Sequence, residues 1–565
     1  MRSPSPVRAR PGVHLAALVG LACAPIWAVA YFVPQDGPAH SYSAYLMLEL
    51  LRDSPAVASH FAWNSWTLPN SSGHWLLMLL QSFSSPMVAT KILATLTFSG
   101  LVAATGFLRW ATAGRDGLLT SLWIGAAIGF NWLWLCGLYN FLLGVIGFAV
   151  TIGFYFHGSD SSERWRAPRV AGFALLFLLV YFSHLVAFAV LAASLLLLAA
   201  SEPAPRRGRI CLAIVLALLP AVILALVHGA AATGEAYFPV WRRLTEPASI
   251  ASWFFQLRTA DPFVLISRRA FPFSSAHSRL FALFTPLLWL LVALGGLAWQ
   301  TFAVRSRAAP LATPRRYRAL MAICAGCALV AIFGPDDFGE SHGTLLRERF
   351  ALLAAVAFVP LFRTGGAEDV HGPLRLRFAH LALAGVVLFQ TAVLWEYARR
   401  TTRDAAEFLP VASALLGRES LASVVVLEDG KRFHSNPVAQ MSNFLGIGRR
   451  TRIWDNYEIG YELFPLVARS AAEQRFVRAF TSVNVFDLTD PVSVVEARLA
   501  GLERCLKEDG GRIQTLLLWG REARVEALLS SWFEDEPFFE KGRARFYRRR
   551  AAPASASTVS PLAQP

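Results

Sequence analysis

Charge is scarce in this chain. Only 16% of its 565 residues are Asp, Glu, Lys or Arg, against about a quarter in ordinary soluble domains. Hydrophobic residues make up 55%, and several apolar runs reach or approach the ~20 residues that span a bilayer. The clearest are Val13–Val33, Ile210–Gly229, Leu280–Val304 and Phe378–Tyr397. The chain therefore reads as a polytopic membrane protein. Acidic residues are the scarcer sign, 38 against 53 basic ones, leaving a net charge of +15. A nucleic-acid binder would carry such an excess. Here, however, much of the arginine stands in short stretches between apolar runs, as retention of Lys and Arg on the cytoplasmic side produces. The basic stretch RARFYRRR (Arg543–Arg550) reads as a solvated strand end.

Cysteine is scarce too. Five of the six, Cys23, Cys136, Cys211, Cys324 and Cys327, lie in apolar runs and only Cys505 in a polar region, so no disulfide framework is implied. Cys324 and Cys327 fall inside a predicted helix with no second ligand pair, and read as small packing residues. No repeat of twenty to fifty residues is evident. The N-terminus could be mistaken for a signal peptide. Arg2, Arg8 and Arg10 and the AVA of Ala28–Ala30 imitate one, but the apolar run of about 20 residues exceeds the 7–15 of such a segment and reads as a retained helix. The sequon NSS at Asn70–Ser72 matters only in a eukaryotic secretory setting.

What is present predicts about eleven membrane crossings. After Val13–Val33, the short GHWLLMLLQSF (Gly73–Phe83) reads as an interfacial or re-entrant segment. Met87–Leu108, Leu118–Leu135 and Tyr139–His157 follow. Val170–Ala200 is flanked by arginines on both sides, so it must cross twice if both clusters are cytoplasmic; the break is YFSH (Tyr181–His184), with His184 at the apex. Ile210–Gly229, Leu280–Val304, Ala319–Phe333, Leu346–Phe362 and Phe378–Tyr397 complete the set, with Arg305, Arg307, Arg315, Arg316 and Arg318 as the densest cytoplasmic loop. The expected division is a cytoplasmic tail over 1–12, a multi-pass domain over 13–397 with external loops 34–86 and 230–278, an extracytoplasmic α/β domain over 398–550, and a disordered tail over 551–565. In the third part LASVVVLED and RIQTLLLWG read as buried strands and PVSVVEARLAGLERCLKED as an amphipathic helix.

This topology gathers polar groups on one side. Asp36 and His40 in DGPAH follow the first helix, and His184 caps a hairpin. The loop GPDDFGESHG carries Asp336, Asp337, Glu340 and His342, and Arg347 and Arg349 stand in LLRERF. Ionisable groups at membrane depth usually face a cavity or a partner. Each also has a structural reading: Asp36 as N-cap of a helix over 39–51 with proline at its start, the histidines as satisfied interfacial groups, Arg349 as a snorkelling cation. Together they suit a carboxylate base for an acceptor hydroxyl and an arginine for a lipid phosphate.

With DGPAH after the first helix, crossings of irregular length and an α/β tail, the chain resembles the GT-C glycosyltransferase superfamily, which includes protein O-mannosyltransferases, aminoarabinose transferases and arabinofuranosyltransferases. The shorter phrases LYNFLLG, YFSHLVAF, RERF and DNYEIGYELFPL resemble uncharacterised bacterial membrane proteins of this build. The resemblance implies transfer of a sugar from a polyprenyl-phosphate donor to an acceptor on the extracytoplasmic face of a bacterial inner membrane, N-terminus inside. It carries the acid of the first external loop over to Asp36, with His40, His184, Glu340, His342, Arg347 and Arg349 as substrate-binding candidates. O-mannosyltransferases have adjacent Asp and Glu there, whereas Gly37 follows Asp36; a second acid must come from elsewhere, such as Glu49 or Glu340, or is unnecessary. If a divalent metal is used, oxygen ligands such as Asp36 and Asp337 suit Mg²⁺ or Mn²⁺, though no spacing demands one. The competing readings are a transporter or flippase, which would show midplane charges and inverted halves, and a non-catalytic envelope scaffold.

Overall fold

The computed structural model describes residues 11–157, 166–231, 314–338, 344–362, 372–413, 420–428, 433–449 and 451–550, with isolated positions such as Phe263 and Leu265. The expected crossing Leu280–Val304, most of the loop 230–278, and both Glu340 and His342 lie outside the described residues.

The chain opens with α1 (Pro11–Trp27), α2 (Gly37–Leu51), the single turn α3 (Pro55–Ala58), β1 (Phe61–Trp63) and α4 (Ser72–Gln81). The helical bundle continues with α5 (Pro86–Ala113), α6 (Leu118–Gly129), α7 (Trp132–Cys136), α8 (Tyr139–Phe156), α9 (Ala167–Ser183), α10 (Leu185–Ala200), α11 (Ala204–Ala231), α12 (Pro314–Phe333), α13 (Leu346–Phe358) and α14 (Gly372–Phe408). Among the described residues, five helices are long and apolar enough to cross a membrane: Pro86–Ala113, Tyr139–Phe156, Ala204–Gly229, Pro314–Phe333 and Leu376–Ala412. Pro11–Trp27, Leu118–Gly129, Ala167–Ser183 and Leu185–Ala200 are shorter apolar helices. On α11, Leu212, Leu216, Leu219, Ile223 and Leu226 are all exposed, recurring every three or four residues. Such a stripe is untenable in water and natural against lipid.

Several boundaries differ from the sequence reading, each for a local reason. The first apolar run is helical only to Trp27, and the chain is irregular until α2 starts at Gly37. The run Leu118–Leu135 breaks after Gly129, where the Asn131 side chain accepts the Trp134 N–H and starts α7. The break in Val170–Ala200 falls at His184, whose ring Nδ1 accepts the Val186 N–H and caps α10. The last span does not stop at Tyr397. At 37 residues, α14 is about 55 Å long and runs through the expected domain boundary. Its end is clamped by Arg543, which reaches Asp404 at 2.5 Å.

The C-terminal domain is built on β2 (Ser420–Leu427), β3 (Arg452–Ile453), β4 (Leu466–Ala468), β5 (Val485–Asp487), β6 (Thr515–Trp519), β7 (Phe539–Lys541) and β8 (Ala544–Arg548). Its helices are α15 (Ala471–Val483), α16 (Val492–Asp509) and α17 (Ala523–Ser530). The main sheet runs β3-β2-β6-β8-β7, with β5 also on β2. β2 is parallel to β3, β5 and β6, and β8 is antiparallel to β6 and β7. β2 and β6 are buried along almost their whole length, which is why both read as unbroken apolar runs. β4 leaves this sheet to pair antiparallel with β1, Phe61 opposite Ala468. The segment 34–86, expected as an external loop, is thereby joined to the C-terminal domain.

Away from that domain, a buried ion pair holds the other end of the bundle. Arg316 donates to Glu202 at 2.7 and 3.0 Å, and the Tyr155 hydroxyl donates to the same carboxylate at 2.7 Å. Arg316, expected in a solvated loop, is 4% exposed, because Glu202 has no water to turn to. Glu202→Gln or Arg316→Met should each destabilise the protein by about 3–5 kcal/mol, while the double change to leucine should recover most of the loss. Thermal unfolding in detergent checks this.

Candidate active site

The site begins with a break. α7 ends at Gly137, whose φ of +88° suits glycine and whose Cβ, if present, would lie 3.1 Å from the Gly37 nitrogen. The helix end leaves carbonyls unpaired, and the Asp36 loop takes them: Asp36 N–H donates to Cys136 at 2.8 Å and Gln35 N–H to Leu135 at 3.2 Å. Asp36 occupies the N-cap position of α2, but its side chain makes no capping bond. It receives Gln35 Nε2 at 3.3 Å and the Tyr457 hydroxyl, and it opens into a cavity. Burial pushes its carboxyl from 3.8 up to about 6, against the charge of His40 and the Gln35 hydrogen bond.

That cavity has a volume of about 700 Å³ and is lined by Asp36, His40, Trp132, Tyr139, His184, Arg349 and Tyr457 among others. Four of the seven site residues expected from sequence meet there: Asp36, His40, His184 and Arg349. Arg347 does not line it. Its Nε donates to the Gly334 carbonyl at 2.8 Å and lies 3.7 Å from Asp336, so it braces the preceding loop. Glu49 is no second acid, since it pairs with Arg52 at the far end of α2. Arg349 lies over the Phe141 ring at 5.5 Å and is 9% exposed. Its Nε, Trp132 Nε1 and the Tyr139 hydroxyl have no hydrogen-bond partner among the described residues. Three buried donors on one cavity call for a ligand rich in acceptors.

Another buried acid, Glu458 from DNYE of the C-terminal domain, stands beside His40. It is fully buried and meets two histidines. His40 Nδ1 contacts Glu458 Oε1, and His74 Nε2 lies 3.1 Å from both carboxylate oxygens. Burial alone would raise the Glu458 carboxyl, but the charge of His40 and the hydrogen bonds from His40 and His74 outweigh it and hold it well below the usual range. Each neighbour in DNYE has its own anchor. Asp455 accepts from Ser423 and Ser442, Asn456 donates to Ser43 of α2 at 3.1 Å, and Tyr457 lines the cavity. DNYE opens the phrase DNYEIGYELFPL quoted above. What it does not carry is any sign that Glu458 meets residues 418 and 384 positions earlier.

Among the described residues, His40, His74 and Glu458 are the one group of three with ligand atoms within 4.8 Å of one another. Two imidazoles and a carboxylate would suit a zinc-class ion rather than Mg²⁺ or Mn²⁺. Asp337, offered above as an oxygen ligand, is not part of it. The hydrogen bonding does not fit a metal. Asn140 is oriented by two bonds of 2.6 Å, its Oδ1 accepting from Gly73 N–H and its Nδ2 donating to Asn70. The same Nδ2 faces His74 Nδ1 at 3.4 Å. His74 Nδ1 therefore accepts, and its proton sits on Nε2, toward Glu458. A metal would need that lone pair free.

No protein-family profile matches the chain, and no curated protein sequence matches it. Solved structures do. ArnT from Cupriavidus metallidurans bound to undecaprenyl phosphate superposes with a TM-score of 0.51 at 11% identity, covering 96% of this chain and 99% of that one. The Archaeoglobus fulgidus oligosaccharyltransferase in complex with zinc and sulfate gives 0.45 at 11% identity, covering 95% and 73%.

Asn140→Leu should leave the Gly73 N–H, the Asn70 carbonyl and His74 Nδ1 without partners. It should cost about 1–3 kcal/mol, read as a lower unfolding temperature in detergent. Over nearly its whole length, the chain has the fold of ArnT.

Proposed function

We propose that this protein is an integral-membrane glycosyltransferase that moves a sugar from a polyprenyl-phosphate donor to an acceptor on the extracytoplasmic face. The observation that carries the reading is one cavity lined by both Asp36 and Arg349, a carboxylate with no capping duty and a buried guanidinium with an unpartnered Nε. Asp36 takes the proton of the acceptor hydroxyl as its oxygen attacks the anomeric carbon. The bond from that carbon to the phosphate oxygen breaks, and its electron pair leaves with the phosphate. Arg349 faces the charge that develops there. Trp132 Nε1, the Tyr139 hydroxyl and His184 line the same cavity and supply further contacts to sugar or phosphate. The undecaprenyl phosphate bound by ArnT is a ligand of the chemistry this cavity would take.

Transfer in isolated membranes, with a panel of labelled polyprenyl-phosphate sugars, tests the reading. Asp36→Asn at equal expression should lower the rate by at least about 100-fold. A product that persists would reject Asp36 as the base. Arg349→Leu should weaken binding of undecaprenyl phosphate about tenfold or more, the worth of one charge-assisted hydrogen bond.

The wild-type rate should depend on pH in a defined direction. A base with a pKa of about 6 is lost as pH falls, so activity should be halved near pH 6 and vanish below it.

A further inference from the structure

We propose that Glu458, carried by the C-terminal domain, is a positioning residue for Asp36: it holds His40 as an imidazolium one helical turn from the Asp36 carboxylate, so that the base is set only when this domain is docked. The proposal rests on the reading of Asp36 as the base.

The protonation of the cluster follows from its acceptors. His40 Nε2 lies 3.1 Å from the Gly137 carbonyl, which only accepts, and Nδ1 lies against the Glu458 carboxylate, which also only accepts. A neutral imidazole has one N–H, and two acceptors require two. His40 is therefore charged. His74 contributes no second charge, because its Nδ1 already accepts from Asn140. Its single proton goes to Glu458. One negative and one positive group remain, both buried, and a buried carboxylate persists only with such a partner.

The His40 charge has two carboxylates to face. Glu458 meets its ring directly, and Asp36 stands four residues earlier at the start of the same helix, on the same face. The other titratable groups around His40 are neutral: His74 of α4, with rings 4.9 Å apart, and Tyr139 of α8, with rings 6.3 Å apart. Tyr457, from the C-terminal domain, lines the same cavity with Arg349 and His184. His40 is the leading charge that opposes protonation of Asp36, whereas the direct repulsion from Glu458 is weaker. Removing Glu458 therefore acts on Asp36 mainly by letting His40 discharge, and Asp36 then keeps its proton to higher pH.

The test needs no knowledge of the sugar. Carbodiimides label protonated carboxyls, so labelling of Asp36 in the purified full-length protein, read by peptide mass spectrometry against pH, reports its ionisation. The wild-type midpoint should fall near pH 6. In Glu458→Gln and in His40→Gln it should rise by about one pH unit or more, and the double variant should move no further than either single one. Two separate shifts that add, or no shift in the His40 variant, would overturn the proposal. So would a stoichiometric transition metal in the wild type that Glu458→Gln loses, measured by elemental mass spectrometry. Should Glu458→Gln not fold, the His40→Gln midpoint decides alone. Transfer by Asp36→Asn, measured separately, tells failure of the base reading from failure of this one.

Discussion

A carboxylate taken fully out of water must be met by donors, or the fold loses several kcal/mol. Glu458 is such a group, and the arrangement of the site follows from how it is met. Its donors come from α2 and α4, two helices that lie in the chain between α1 and α5. Because the carboxylate belongs to the C-terminal domain, satisfying it brings three stretches of chain to one point. The neighbouring contacts repeat the same joint by weaker means: β1 pairs with β4, Asn456 reaches Ser43, and Gln35 accepts the Asn436 N–H at 2.7 Å. The Tyr397 hydroxyl donates to Val33 at 2.6 Å, which ties the long α14 to the start of the loop. None of these is strong alone. Around a buried ion they are cooperative, since each one excludes water that would otherwise loosen the pair.

The early loop is thus a middle layer, although its sequence reads as an external connection. α2 is buried along most of its length, between membrane helices on one side and the 3-10 turn over Pro437–Leu445 on the other. Gly446 follows that turn, and its backbone lies so close to Tyr42 that a Cβ would sit 2.5 Å from the ring. The domain approaches α2 at a glycine because nothing larger fits.

Much of this was legible in the sequence wherever a polar residue interrupts an apolar run. Asp36, His40, His184 and Arg349 are conspicuous for that reason, and the cavity collects all four. Ser183 and His184 marked the break in a 31-residue apolar run because the chain has so few polar residues there. Asn131 broke another run in the same way, but one asparagine amid tryptophans and leucines does not stand out. Strands β2 and β6 were readable because both are buried on two faces and so are apolar without alternation. What could not be read was pairing over distance. Glu458 looks like any acid in a polar tail, His74 like a lone histidine at the start of a short helix, and Arg316 like one of several loop arginines. Their roles are set by partners more than a hundred residues away, and no local spacing encodes that.

Glu458 against His40, and Arg349 in one cavity with Asp36, divide the site into a part that is finished and a part that is open. Glu458 has both its oxygens occupied, by groups that its own chain supplies. Arg349 is nearly as buried, yet its Nε is without a partner among the described residues, and Trp132 and Tyr139 leave donors unused on the same wall. Folding that satisfies one buried ion completely and leaves another short of an acceptor does so at a cost of about 1–3 kcal/mol for each orphaned group. A bound acceptor-rich group would return that energy. Asp36 sits between the two conditions, freed from capping, held ionised by the finished pair through His40, and turned toward the space where the open donors wait. The same chain position is then both the last element of the structural cluster and the first of the ligand site, which is where a base must stand if docking of the C-terminal domain is to set it.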